Sequence, residues 1–234
     1  IRLSLVGSEM CIRDRAEDMW RYSGLSAAAL ARAAQPWRGM RTEVIGGQLL
    51  DIMLEGQGSE SIELADRVNR FKTAAYTIER PLHLGAALAG APQEIIDAFR
   101  GYGRDIGIAY QLRDDILGVF GDSAVTGKPA GDDIREGKRT VLYATALELL
   151  DDSDPAAAAE LRAGIGTATA PADLARLAEV IAESGARESV EKRIEALTAS
   201  GLAHLERADI DAEVADTLRQ LAIRSTERLS LIHI

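Results

Sequence analysis

Gln111, Asp114 and Asp115 fall at i, i+3 and i+4 within Tyr110-Gln111-Leu112-Arg113-Asp114-Asp115-Ile116-Leu117-Gly118-Val119-Phe120, a spacing that places all three on one face of a helix. Two adjacent carboxylates close to a helix C-terminus oppose the helix dipole and repel each other, so the arrangement is disfavoured unless a cation is held there. Hard oxygen ligands suit Mg²⁺, which takes one or two carboxylates, keeps several waters and bridges to substrate phosphates. The plainer reading is a solvated acidic helix end with Arg113 as its partner.

The segment that follows, Gly121 to Arg139 (GDSAVTGKPAGDDIREGKR), has loop composition and carries Lys128, the pair Asp132 and Asp133, and Lys138. Gly127, Gly131 and Gly137 let backbone come close to a ligand. The sequence holds only four lysines, Lys72, Lys128, Lys138 and Lys192, and two of them are in this loop. Lysine serves phosphate as a compact point charge, so carboxylates followed by lysines suggest a Mg²⁺-diphosphate site. A surface loop of mixed charge is the bland alternative. Two weaker patches join the pattern: Gln48 and Asp51 share a helix face at i, i+3, and Arg70 to Thr77 gathers Lys72 with the hydroxyls of Thr73 and Thr77.

The elements that must position these groups are helices. The sequence is rich in Ala, Leu, Glu and Arg and lacks β-branched runs with period-two alternation, which predicts an all-α fold. Helices are expected over about 26–34, 38–54, 62–78, 81–88 and 92–120, then 137–150, 155–165, 171–184, 186–204 and 211–227. Pro92, Pro155 and Pro171 stand at first helical turns, and the one extended loop is 121–137.

With 27 Lys plus Arg against 37 Asp plus Glu, the formal charge of this 234-residue chain is −10, which speaks against a nucleic-acid binder, because phosphate affinity needs a basic face. A hydrophobic content of 47% is too apolar for a disordered chain. No uninterrupted apolar run reaches about 18 residues, so a transmembrane helix is not expected. A single cysteine, Cys11, cannot form an internal disulfide, and the chain fits a reducing cytoplasm. Leu3-Ser4-Leu5 recurs as Leu229-Ser230-Leu231, and residues 1–15 and 229–234 read as foreign tails around a domain over 16–228.

Taken together, GQLLD at 47–51, KTAAYT at 72–77, YQLRDDILGVFGD at 110–122, TGKPAGDD at 126–133 and EGKRT at 136–140 resemble the motifs of the trans-type isoprenyl (polyprenyl) diphosphate synthases, in that family's order and spacing. The wording is most similar to geranylgeranyl- or farnesyl-type synthases. The resemblance implies the all-α isoprenoid-synthase bundle, here partial with its first helices missing, and a prenyltransferase that condenses isopentenyl diphosphate with an allylic diphosphate. Carried over by motif, Asp114 and Asp115 are metal ligands for Mg²⁺, and Lys72, Lys128 and Lys138 hold the allylic diphosphate. Thr73, Gln111 and Gln48 lie beside the reacting carbons. A cytoplasmic homodimer is implied in the same way.

Two departures stand out. The third aspartate that the family often carries four residues after the first is Gly118 here, with Asp122 as a substitute. No earlier Asp-rich motif and no Gly-Lys-x-x-Arg-Pro segment is found, so the chain is expected to be an N-terminally truncated synthase, inactive by itself, whose product length cannot be read. Two other functions compete. A non-catalytic partner subunit of a heteromeric synthase has no need of the intact lysine and aspartate set, and an all-α terpene cyclase needs an Asn/Asp-x-x-Ser/Thr-x-x-x-Glu motif that is absent. Gly121 to Lys128 does not have the spacing of a nucleotide P-loop, and Gly101, Gly103 and Gly107 miss the dinucleotide fingerprint by one residue. Those three glycines sit inside a helical pattern and instead suggest close helix packing.

Overall fold

The computed structural model describes residues 15–121 and 130–227. Lys128, Asp122 and the terminal stretches 1–14 and 228–234 lie outside the described residues. Among those described there is no strand, so the all-α expectation is met.

A helical segment at 15–21 is followed by α1 (Ala27–Gln57), which starts where the Ser26 hydroxyl accepts a hydrogen bond from the Ala29 amide at 3.2 Å and stops at Gly58, in the left-handed region at φ 63°. The interruption expected between residues 34 and 38 does not occur. Pro36 forfeits one intrahelical hydrogen bond, but its ring is fully buried, and tertiary packing carries the helix through. The next run is also longer than expected: α2 (Ile62–Val68), a π-helix (Asn69–Glu79) and α3 (Arg80–Ala89) follow without a gap. Pro81 falls in the first turn of α3, where a missing N–H is least costly.

After α4 (Gln93–Phe120) comes a correction to the expected loop over 121–137, because Asp132–Glu136 forms a short helix, α5, between Gly131 and Gly137. Both glycines have φ near 75°, and at Gly137 this left-handed conformation closes the helix C-terminus. The remainder is α6 (Val141–Ser153), α7 (Pro155–Gly164), α8 (Pro171–Glu183), α9 (Ala186–Glu206) and α10 (Ala212–Thr226). Pro155 and Pro171 stand in first turns as predicted.

The central element is α4, which packs on the π-helix along one side and on α9 along the other. Its Leu112 and Ile116 join Leu142, Leu147, Leu161 and Ile181 in the main core. Close approach to the π-helix depends on small residues: a Cβ on Gly107 would lie 2.6 Å from the Ala74 Cα, and one on Gly103 would lie 2.5 Å from the Glu79 Cα. From the opposite side Gly47 of α1 presses on the Lys72 backbone. The glycines that failed as a nucleotide motif thus serve helix packing, as expected. Along α1, Ile45, Leu49, Ile52 and Met53 form an exposed apolar stripe, and among the described residues no helix is long and apolar enough to cross a membrane.

Candidate functional site

The site is built across three neighbouring elements. On the π-helix, Lys72 pairs with Asp51 of α1, and the next residue, Thr73, donates its hydroxyl to the Gln111 side-chain oxygen at 2.7 Å. The Gln111 amide nitrogen then donates to Asp115 Oδ1, one turn further along α4, at 2.9 Å. Successive side chains on a helix point roughly a quarter turn apart, so adjacent residues face two different helices, Lys72 toward α1 and Thr73 toward α4.

Asp115 is only 4% exposed, and its Oδ2 is buried with no hydrogen-bond partner among the described residues. Burial first, and then the charges of Asp133 and Asp114, push its carboxyl up to about 7, against the opposing pull of the Gln111 hydrogen bond and of Lys138. Lys138 pairs with Asp133 and sits 3.3 Å from Glu136. Burial works to lower its basicity, but these acids outweigh burial and hold the ammonium above the usual lysine range. The reading of a solvated acidic helix end with Arg113 as partner is overturned. Asp115 is buried, and the Arg113 guanidinium donates to both Glu191 oxygens of α9 at 2.5 and 2.6 Å and to the Thr226 carbonyl at 2.7 Å.

Thr73, Gln111 and Asp115 are therefore joined in one hydrogen-bonded relay, with the partly buried Asp114 and with Lys138 in electrostatic reach. Gln48 is exposed on α1 and takes no part in the relay. Sequence reasoning singled out two further acids, Asp51 and Asp133, without giving either a partner or a role. Asp51 is the partner of Lys72, signalled only by its place in the 47–51 motif. Asp133 lies against Gly118 of α4, where an added Cβ would meet its Oδ2 at 2.1 Å, and the signal was the glycine itself.

The donors present suit a hard divalent cation. An orphaned, buried carboxylate oxygen on Asp115 beside Asp114 is what Mg²⁺ takes, with waters and phosphate oxygens completing its shell. Among the described residues no three acidic, histidine or cysteine side chains are grouped so as to hold a metal ion by themselves.

The described family model of polyprenyl synthetase matches residues 21–183. A geranylfarnesyl diphosphate synthase from Aeropyrum pernix is 35% identical over 212 residues, covering 89% of this chain and 64% of its own length. A (2E,6E)-farnesyl diphosphate synthase from Mycobacterium bovis is 33% identical over 181 residues, covering 77% of this chain and 50% of its own. This chain thus spans between half and two thirds of the relatives it matches. Among solved structures, a geranylgeranyl pyrophosphate synthase from Corynebacterium glutamicum, complexed with isoprenyl diphosphate and magnesium, superposes with a TM-score of 0.92 at 64% identity, covering 96% of this chain and 63% of that one.

Proposed function

The chain belongs to the polyprenyl synthetase family, and on that premise we propose that the whole protein is an isoprenyl diphosphate synthase that joins isopentenyl diphosphate to an allylic diphosphate. The observation that carries this reading is Asp115, a buried carboxylate with one oxygen held by Gln111 and the other left for a ligand. When bound, Mg²⁺ neutralises charge that develops on the departing diphosphate as the allylic C–O bond breaks. The chain's own groups set up that event. Asp114 and Asp115 hold the cation side, while Lys72 and Lys138, together with Lys128, carry the positive charge that receives the diphosphate.

Thr73 and Gln111 have a second role in this reading. Their oxygens present partial negative charge to the allylic cation that remains, and the surrounding helices keep water from it. Carbon–carbon bond formation by the isopentenyl double bond and loss of a proton complete the reaction. Gln48, exposed on α1, is placed beside the reacting carbons by its motif alone. The proposed assembly is a homodimer in the cytoplasm.

Radiolabelled isopentenyl diphosphate, supplied with allylic diphosphates of increasing length and Mg²⁺, tests the proposal. The chain alone is expected to make little product, because the described residues supply one acidic wall and a two-sided clamp needs another. Joined to the N-terminal portion of the Corynebacterium synthase it should make product, and Asp115→Ala should abolish this. A joined protein that is folded and dimeric yet inactive with every allylic partner would overturn the catalytic reading and favour a partner subunit.

A further inference from the structure

The dipeptide Arg-Asp occurs twice on α4, as Arg104-Asp105 and again as Arg113-Asp114, and the two arginines behave differently. Arg104 Nε donates to Oδ1 of its own neighbour Asp105 at 2.8 Å, so an arginine on this helix can reach the carboxylate next in sequence. Arg113 does not do this. Its two terminal nitrogens donate to Glu191 at 2.5 and 2.6 Å and its Nε to the Thr226 carbonyl at 2.7 Å. Among the described residues it forms no ion pair with Asp114 or Asp115.

The difference lies in what α9 presents. That helix runs antiparallel to α4, with Ser200 against Asp105 and Glu191 against Arg113. Ser200 is a donor and sides with the aspartate. Its hydroxyl donates to Asp105 Oδ2 at 2.7 Å, and that carboxylate is used up inside the protein, 4% exposed. Glu191 is an acceptor and sides with the arginine. A carboxylate that meets a guanidinium with both oxygens is among its strongest partners, and the guanidinium stays charged at every working pH. Thr226 adds a carbonyl from the last turn of α10, where positive charge is favoured by the helix dipole.

We propose that Glu191 is a positioning residue that holds Arg113 away from Asp114 and Asp115, so that the acidic wall keeps its negative charge for a divalent cation. Released from Glu191, the guanidinium closes on Asp114 as Arg104 closes on Asp105, and competes with the metal from within the chain. The Arg113 side chain is 12% exposed, so without Glu191 its charge has little water to turn to and the neighbouring carboxylates are its natural partners. The unpartnered Oδ2 of Asp115 is the independent sign that this wall faces a ligand. It is a buried carboxylate oxygen two residues from an arginine, and that arginine is engaged elsewhere.

This inference rests on the metal-diphosphate reading of the site, and the test separates the two. Mn²⁺ binding to the chain in the presence of inorganic diphosphate is measured by electron paramagnetic resonance, with helical melting as a check on folding. Wild type should bind, and Asp115→Asn should not. Glu191→Ala, which frees Arg113, should bind at least about tenfold more weakly. Arg113→Ala/Glu191→Ala removes the freed arginine as well and should return affinity to within a few-fold of wild type, although the contact between α4 and α9 is missing from both variants. Arg113→Ala alone should melt earlier yet bind Mn²⁺ at least as tightly as wild type. A double variant no better than Glu191→Ala overturns the inference, by showing that the pair only holds α9 on α4. A folded Glu191→Ala that binds as wild type does, or a folded Arg113→Ala that binds more weakly, overturns it too. Each of these results leaves the metal reading intact while Asp115→Asn does not bind, and absence of Mn²⁺ binding to wild type overturns both.

Discussion

Thr73 on the π-helix donates to the Gln111 side-chain oxygen at 2.7 Å, and this bond decides which way the Gln111 amide faces. With Oε1 engaged, the amide nitrogen is turned to Asp115. Thr73→Val is close to isosteric but has no donor, which frees the amide to rotate. The lost hydrogen bond should cost about 1 kcal/mol, a fall in melting temperature of roughly 2–4 °C for a chain of this size. Mn²⁺ affinity should fall with it, because the Asp115 oxygen is no longer fixed. An unchanged melting temperature and affinity, read by circular dichroism and metal titration, would show that the relay positions nothing.

Asp115 links stability and function with opposite signs. Its carboxyl is displaced from 3.8 to about 7, so the folded state keeps a proton that the unfolded state has released, and metal-free stability from this group falls as pH rises between those values. At pH 8 the wild-type fold contains a buried, incompletely partnered carboxylate. Asp115→Asn removes that charge and should raise the metal-free melting temperature at pH 8 while abolishing metal binding. Since a cation must displace the proton, wild-type Mn²⁺ affinity should increase about tenfold from pH 6 to pH 8. A pH-independent affinity would refute the assignment of Asp115 as the ligand.

His83 acts in the reverse direction. Burial, followed by the charges of Arg100 and Arg80, lowers its imidazolium from 6.5 to about 4, with Arg80 Nη1 only 3.0 Å from the ring. The unfolded chain therefore binds more protons between those values, and stability from His83 is present above pH 6.5 and lost on acidification toward pH 4, by at most about 3 kcal/mol. Its slope and that of Asp115 oppose one another over this window. In the Asp115→Asn background the acid-side loss should become steeper, and urea denaturation at pH 7, 6 and 5 reads the difference directly.

The stripe of Ile45, Leu49, Ile52 and Met53 leaves four large apolar side chains of α1 exposed, and exposed apolar surface favours association. Sedimentation should show concentration-dependent self-association, and Leu49→Lys with Ile52→Glu should reduce it without changing the melting temperature, as both side chains are exposed. Association that persists in this double variant would place the contact elsewhere.

Much of this molecule is legible in its sequence because helical periodicity and proline punctuation are local signals. The start of α7 at Pro155 and the face shared by Gln111, Asp114 and Asp115 both follow from spacing alone. Proline was also where the reading failed. Pro36 lies in mid-helix and Pro81 within a continuous helical run, because tertiary burial can outweigh one absent hydrogen bond, and burial is not a local property. The π-helix was missed because its sequence keeps an ordinary apolar pattern. Asp133 was seen as a loop acid but not as a neighbour of Gly118, since only the docking of α5 brings positions 15 apart into contact.

Two adjacent glycines in α1 give the sharpest contrast. A Cβ on Gly47 would lie 2.3 Å from the Lys72 backbone nitrogen and 2.7 Å from its Cα, whereas one on Gly46 meets nothing within 4 Å. The obstruction at 47 is backbone, which no rotamer change relieves, so Gly47→Ala must push α1 off the π-helix. Overpacking of this kind costs about 1–3 kcal/mol or more. Separation of the two helices should also loosen the Asp51–Lys72 pair and reduce binding of inorganic diphosphate. At Gly46, alanine only restores helix propensity and should stabilise by about 0.5–1 kcal/mol. Opposite shifts in melting temperature from the same substitution at neighbouring positions, with diphosphate binding lost only at 47, are the expected result. Equal shifts would mean that α1 does not rest on the π-helix at Lys72.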